Sequence, residues 1–173
     1  MYATDRQASR YLRVMHACEK GAIGVYRGHK CVARYFFRSR IKDLDSMRFH
    51  EREHSNLFAE QLAHRGYRQC YLATAWFYGG LLYGVFVGLW GIKAIGRSTM
   101  TIEGIVDNEF EAALNRIQAW PDLCVLVRAV QLEEREHKAS GEIFSAGRVD
   151  EATFIGKIAR AAAYTAKYAA ERF

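Results

Sequence analysis

The tetrapeptide Glu-Arg-Glu-His occurs twice in this chain, at Glu51–His54 and at Glu134–His137, 83 residues apart. In each copy the first Glu and the His stand three apart, a spacing that places both on one face of a helix. Upstream of each copy an isolated Glu interrupts an otherwise apolar stripe. Glu19 lies 32 residues before Glu51, and Glu103 lies 31 before Glu134. One Glu from each of two helices, with Glu-x-x-His from each of two others, is the donor inventory of a two-metal carboxylate bundle.

Helical phase decides where these groups face. On a first helix the inward positions run Leu12, Met15, Glu19, Ala22 and Tyr26, and on a second Leu44, Met47, Glu51, His54 and Phe58. A later helix carries Thr99, Glu103, Val106, Phe110, Ala113 and Ile117, and the next carries Val127, Val130, Glu134, His137, Gly141 and Phe144. Steps of three and four keep each series on one face. Four Glu and two His therefore fall inside apolar stripes, while Arg52, Glu53, Arg135 and Glu136 turn to the flanks. A buried, unpaired carboxylate costs several kcal/mol, and the stripes hold no Lys or Arg to offset it. Two divalent cations balance four carboxylates, and neutral imidazoles add donors without adding charge. Mixed carboxylate and imidazole donors suit two iron ions, with manganese as the alternative, and the lack of Cys in the set argues against a thiolate zinc site.

Two other readings compete. A single Glu on an apolar helical face is commonly a frayed end or a misphased position, but here six residues agree in phase, order and spacing across two repeats. His50-Glu51-Arg52-Glu53-His54 also spells H-E-x-x-H, the zinc metalloprotease helix in which both His bind metal and the Glu is general base. The second copy lacks it, because position 133 is Glu, and a protease leaves Glu19, Glu103 and Glu134 without a role.

Helices must position these residues, and the chain writes little else. It has 173 residues, one Pro and about half apolar composition, and no stretch alternates cleanly enough for a strand. Periodicity and end signals predict helices over about 5–38, 44–64, 69–92, 98–120, 121–147 and 150–172. Gly66 reads as a stop, Ser98, Thr99 and Asp150 as caps, and Pro121 as a helix start. The expected fold is all-α. It is a four-helix bundle made of two helix-pair repeats, about 5–66 and 98–147, in a single domain over 1–173. An added apolar helix lies between the repeats and an amphipathic helix ends the chain.

The segment 69–92 contains 24 residues and no charge. As one helix it would measure about 36 Å, enough to cross a hydrocarbon core of about 30 Å. A single crossing would put the two repeats on opposite sides of a membrane, where they could not share one site. The expectation is a helix or helical hairpin lying on the bilayer, with a buried crossover as the alternative. Gly80, Gly84 and Gly88 permit close helix packing, and the surrounding Trp76, Phe77, Tyr78, Tyr83, Phe86 and Trp90 suit a headgroup region. The basic last helix, with Lys157, Arg160, Lys167 and Arg172, and a net charge of +6 favour anionic lipid surfaces. Nucleic acid is the competing reading of that charge, and no basic cluster or stacking platform supports it. Cys18, Cys31, Cys70 and Cys124 form no C-x-x-C pair and read as reduced thiols, and no secretory leader is expected.

Taken together these residues resemble the demethoxyubiquinone hydroxylases, ferritin-like di-iron monooxygenases of ubiquinone biosynthesis. The stretch His16-Ala17-Cys18-Glu19-Lys20-Gly21-Ala22 is similar to the family's first-ligand block, which usually has Gly where Cys18 stands. Glu51-Arg52-Glu53-His54, Thr101-Ile102-Glu103 and Glu134-Arg135-Glu136-His137 match the remaining blocks in order, and Ala169-Ala170-Glu171-Arg172-Phe173 is similar to the family's ending. One departure stands out: Glu109-Phe110 occupies the place where relatives commonly carry a His-Tyr pair. The resemblance implies Glu19, Glu51, His54, Glu103, Glu134 and His137 as ligands to two Fe ions. It also implies O₂-dependent hydroxylation of the ring of a demethoxy polyprenyl quinone or quinol. The partners expected are that substrate, O₂ and a membrane surface, with no nucleic acid and with homo-oligomerisation left open. The location expected is peripheral (monotopic), on the cytoplasmic face of the inner membrane in a bacterial cell. The reading from another class is a ferritin-like iron-binding or ferroxidase protein with no organic substrate.

Overall fold

The computed structural model describes residues 5–146 and 153–172. Six α-helices follow one another: α1 Asp5–Phe36, α2 Ile41–His64, α3 Ala73–Leu89, α4 Ile92–Leu114, α5 Pro121–Ser145 and α6 Phe154–Arg172. A short 3₁₀ turn, Arg38–Arg40, joins α1 to α2, and no strand occurs among the described residues. Pro121 opens α5, where its missing N–H is no loss.

Several boundaries differ from the sequence expectation. The apolar helix is 17 residues long rather than 24, about 26 Å at helical rise. Among the described residues no helix is long and apolar enough to cross a membrane. The break comes at Gly91, whose φ of 97° only glycine adopts readily. The chain restarts there as α4, six residues ahead of the expected caps. Ser98 and Thr99 are therefore buried inside α4 rather than capping it, and the Ser98 hydroxyl bonds Tyr83 OH at 2.7 Å. α2 starts at Ile41 rather than Leu44, and α5 closes through Ala146 in the left-handed region, one residue before Gly147. The proposed cap Asp150 lies outside the described residues.

Two apolar clusters fix the packing. One gathers Leu12 and Met15 of α1, Phe58 and Leu62 of α2, Phe110 and Ala113 of α4, and Leu123 and Val127 of α5. The other gathers Tyr26 and Ala33 of α1, Leu44 and Met47 of α2, Ala94 and Ile95 of α4, and Phe144 of α5. Reading along the chain, α1 and α5 run from the first cluster to the second, while α2 and α4 run the opposite way. The end of α2 and the start of α4 thus sit at opposite ends of the bundle, and a connection must travel its length. α3 is that connection. It lies against α1, which is itself packed on α2, while α4 packs on α5 and α6 rests on α4 and α1.

Glycine makes the α1–α3 approach possible. A Cβ on Gly84 would collide with the Val25 carbonyl, and one on Gly24 with the Phe77 carbonyl. The outer side of α3 is left apolar and open to solvent at Tyr78, Leu82, Phe86, Leu89 and Trp90.

Candidate metal centre

Between the two apolar clusters each of the four bundle helices carries its unusual residues. Glu19 falls between Met15 and Tyr26, Glu51 and His54 between Met47 and Phe58, Glu103 between Ile95 and Phe110, and Glu134 and His137 between Val130 and Phe144. The result is an acidic and imidazole layer with a hydrophobic layer on either side. All six side chains meet there, none more than 4% exposed. Arg52, Glu53, Arg135 and Glu136 face outward.

Their ligand atoms form two groups, Glu19, Glu51, His54 and Glu134, and then Glu51, Glu103, Glu134 and His137, with the atoms of each group within 4.8 Å of one another. Glu51 and Glu134 belong to both. The Glu134 carboxylate sits between the imidazoles, with Oε1 3.0 Å from His54 Nδ1 and Oε2 3.0 Å from His137 Nδ1. Glu19 Oε2 is 3.8 Å from His54 Nδ1, and Glu51 Oε1 is 3.1 Å from His137 Nδ1.

The electrostatics of the layer show how far it is from self-sufficiency. No Lys or Arg is buried among the described residues. Burial first, then the neighbouring carboxylates, hold the Glu19 and Glu103 carboxyls well above the ordinary range. Burial alone would lower the two imidazoles, but the hydrogen bonds they donate to the carboxylates more than reverse it, to about 12 for His54 and about 11 for His137. Burial would raise Glu134, yet its two histidine partners bring it down to about 2. Glu51 Oε1 is buried beside His137 Nδ1 at 3.1 Å, outside good hydrogen-bond geometry. Oxygen and imidazole donors converging on two points fit a pair of divalent cations.

Three residues take supporting roles that the sequence did not assign them. Tyr26, placed there only as an apolar position, donates its hydroxyl to Glu103 Oε1 at 2.8 Å. Glu133 Oε2 lies 3.0 Å from His54 Nε2, so a carboxylate orients the ring from its far side, as outer partners of metal-binding histidines do. His50 stacks on His137 with centroids 5.3 Å apart, its Nδ1 3.1 Å from His137 Nε2. Glu133 and His50 precede Glu134 and Glu51 by one residue, so the signal was adjacency to the repeat. The H-E-x-x-H reading loses its geometry here, because His50 approaches from beyond His137 and belongs to neither ligand group.

An apolar cavity of about 200 Å³ opens onto this layer. Its lining includes Glu19, Glu51, Glu103 and Glu134, with Met15, Ala22, Val25, Ile105 and Phe110, Gly79 and Gly80 of α3, and Ala162, Ala163 and Ala166 of α6. Burial first, then Glu19 and Glu109, push the Cys18 thiol in this wall up to about 12, so it stays protonated. All four cysteines are free.

No curated protein matches the chain. The family model described as Ubiquinone biosynthesis protein COQ7 matches residues 6–169, a span that includes every residue of the layer and the cavity wall. The chain belongs to that family.

Proposed function

We propose that this chain is a ferritin-like di-iron monooxygenase that hydroxylates the ring of a demethoxy polyprenyl quinone or quinol with O₂. The observation that carries the reading is the buried layer of four Glu and two His open to an apolar cavity. Glu19, Glu51, His54 and Glu134 would hold one iron and Glu51, Glu103, Glu134 and His137 the other, with Glu51 and Glu134 shared. When bound, the irons supply the reduction of O₂ and the oxidation of the ring.

The protein's part is geometric. Tyr26 holds Glu103 and Glu133 holds His54, which fixes the donors while charge changes around them. The cavity walls exclude water and seat a flat ring beside the carboxylates. The exposed apolar face of α3 would rest on a bilayer surface and admit a prenyl tail at the Gly79–Gly80 side. A ferroxidase without an organic substrate has no use for that cavity.

The test loads purified protein with Fe(II) anaerobically, then adds O₂ and a demethoxyquinol. Mass spectrometry of the quinol should show one added oxygen atom with about two irons per chain. Iron accumulation well beyond two, with no oxygenated product, would establish the ferroxidase instead.

A further inference from the structure

The cavity has a second polar station, away from the acidic layer. Lys167 of α6 and Glu109 of α4 both line it, joined Nζ to Oε1 at 2.6 Å. Both side chains are about one-third exposed, 29% and 35%, so the pair sits at the cavity's edge. Among the described lining residues Lys167 is the one cation. Glu109 accepts from one of the three N–H bonds of the Lys167 ammonium, which leaves donors for an occupant.

Two further lining residues carry polar groups in the wall behind the cavity surface. Thr99 lies one helical turn before Glu103, and its Oγ1 is buried without a hydrogen-bond partner. The indole Nε1 of Trp76, on α3, is buried and unpartnered as well.

We propose that Lys167, held in place by Glu109, anchors a ring oxygen of the quinone or quinol and so selects which ring carbon faces the carboxylate layer. The proposal rests on the quinone reading above and adds the contact that orients the ring. The ammonium donates to a carbonyl or hydroxyl oxygen, a charge-assisted bond that no other lining residue can replace. Glu109 restrains a four-carbon stem that would otherwise sample many rotamers. The alanines of α6 contribute only space beside it.

Calorimetric titration of the full chain, anaerobic and in detergent, tests this with two probes sharing one tail: a decyl-tailed dimethoxy-methyl-benzoquinone and decylbenzene. Binding is read without turnover. Lys167→Met should weaken the benzoquinone about tenfold and leave decylbenzene unchanged, and Lys167→Arg should restore most of the loss. Equal benzoquinone binding by Lys167→Met and the parent overturns the anchor, and so does an equal loss for both probes, which would mark a packing defect in α6. If the parent binds decylbenzene but not the benzoquinone, the substrate reading itself fails, and the anchor with it.

Discussion

At the residue scale, the proposed function rests on carboxylates placed where carboxylates are costly. Glu134 is the hinge of the layer, touching both imidazoles and belonging to both ligand groups. Glu134→Ala should lower iron binding below two per chain and abolish oxygen insertion, while far-ultraviolet dichroism stays near that of the parent, because the helices are held by the apolar clusters on either side. Iron stoichiometry and the quinol mass measured together check this. Normal turnover in that variant refutes the ligand assignment. His29 gives a pH prediction away from the metal layer. It is fully buried with neither ring nitrogen hydrogen-bonded, and burial brings it down from 6.5 to about 3. Between those values the unfolded chain binds a proton that the folded chain refuses, so stability falls on acidification through this window, by up to about 1.4 kcal/mol per pH unit. Denaturant midpoints measured from pH 7.5 to 4 should fall more steeply for the parent than for His29→Leu.

At the element scale, α3 shows how an apolar sequence can serve two surfaces at once. Its inner side meets α1 through glycine at backbone distance, and its outer side carries Tyr78, Leu82, Phe86 and Leu89 in solvent. Gly84→Ala would drive a methyl group into the Val25 carbonyl, at a cost of about 1–3 kcal/mol. Gly79→Ala meets nothing within 4 Å and should be neutral or stabilising by up to about 1 kcal/mol through helix propensity. Chemical denaturation of the two variants separates the packing role from a general dislike of glycine replacement. A similar loss in both would remove the close-packing explanation. The lengths of α3 and α4 were not legible in the sequence. An uncharged run announces apolar surroundings, but the helix break depends on Gly91 taking a positive φ, and nothing local separates that glycine from Gly88 three residues earlier.

At the scale of the whole molecule, α3 and α6 wall the cavity, and α3 also carries the exposed apolar face. Membrane association by this route predicts that the parent floats with vesicles containing anionic lipid, and that Leu82→Glu with Phe86→Glu stays in the aqueous fraction with unchanged helicity. Equal flotation of parent and double variant would remove α3 as the contact. Glu109 is tied across the cavity edge to Lys167 of α6. The two positions are 58 residues apart, and only the packing of α6 on α4 brings them together.

The sequence by itself determined the helical class, the stripes and the six chemical residues, because helical phase is a local property and a carboxylate in an apolar stripe demands a partner wherever the stripe folds. Tertiary structure alone decided the rest. It brought the four stripes into register between two apolar layers, made Glu51 and Glu134 common to both ligand groups, and recruited Tyr26, Glu133 and His50 as supports. It also turned the apolar insert into a crossover that closes a cavity with α6. Those outcomes depend on distances between residues far apart in the chain, which packing sets and no local spacing records.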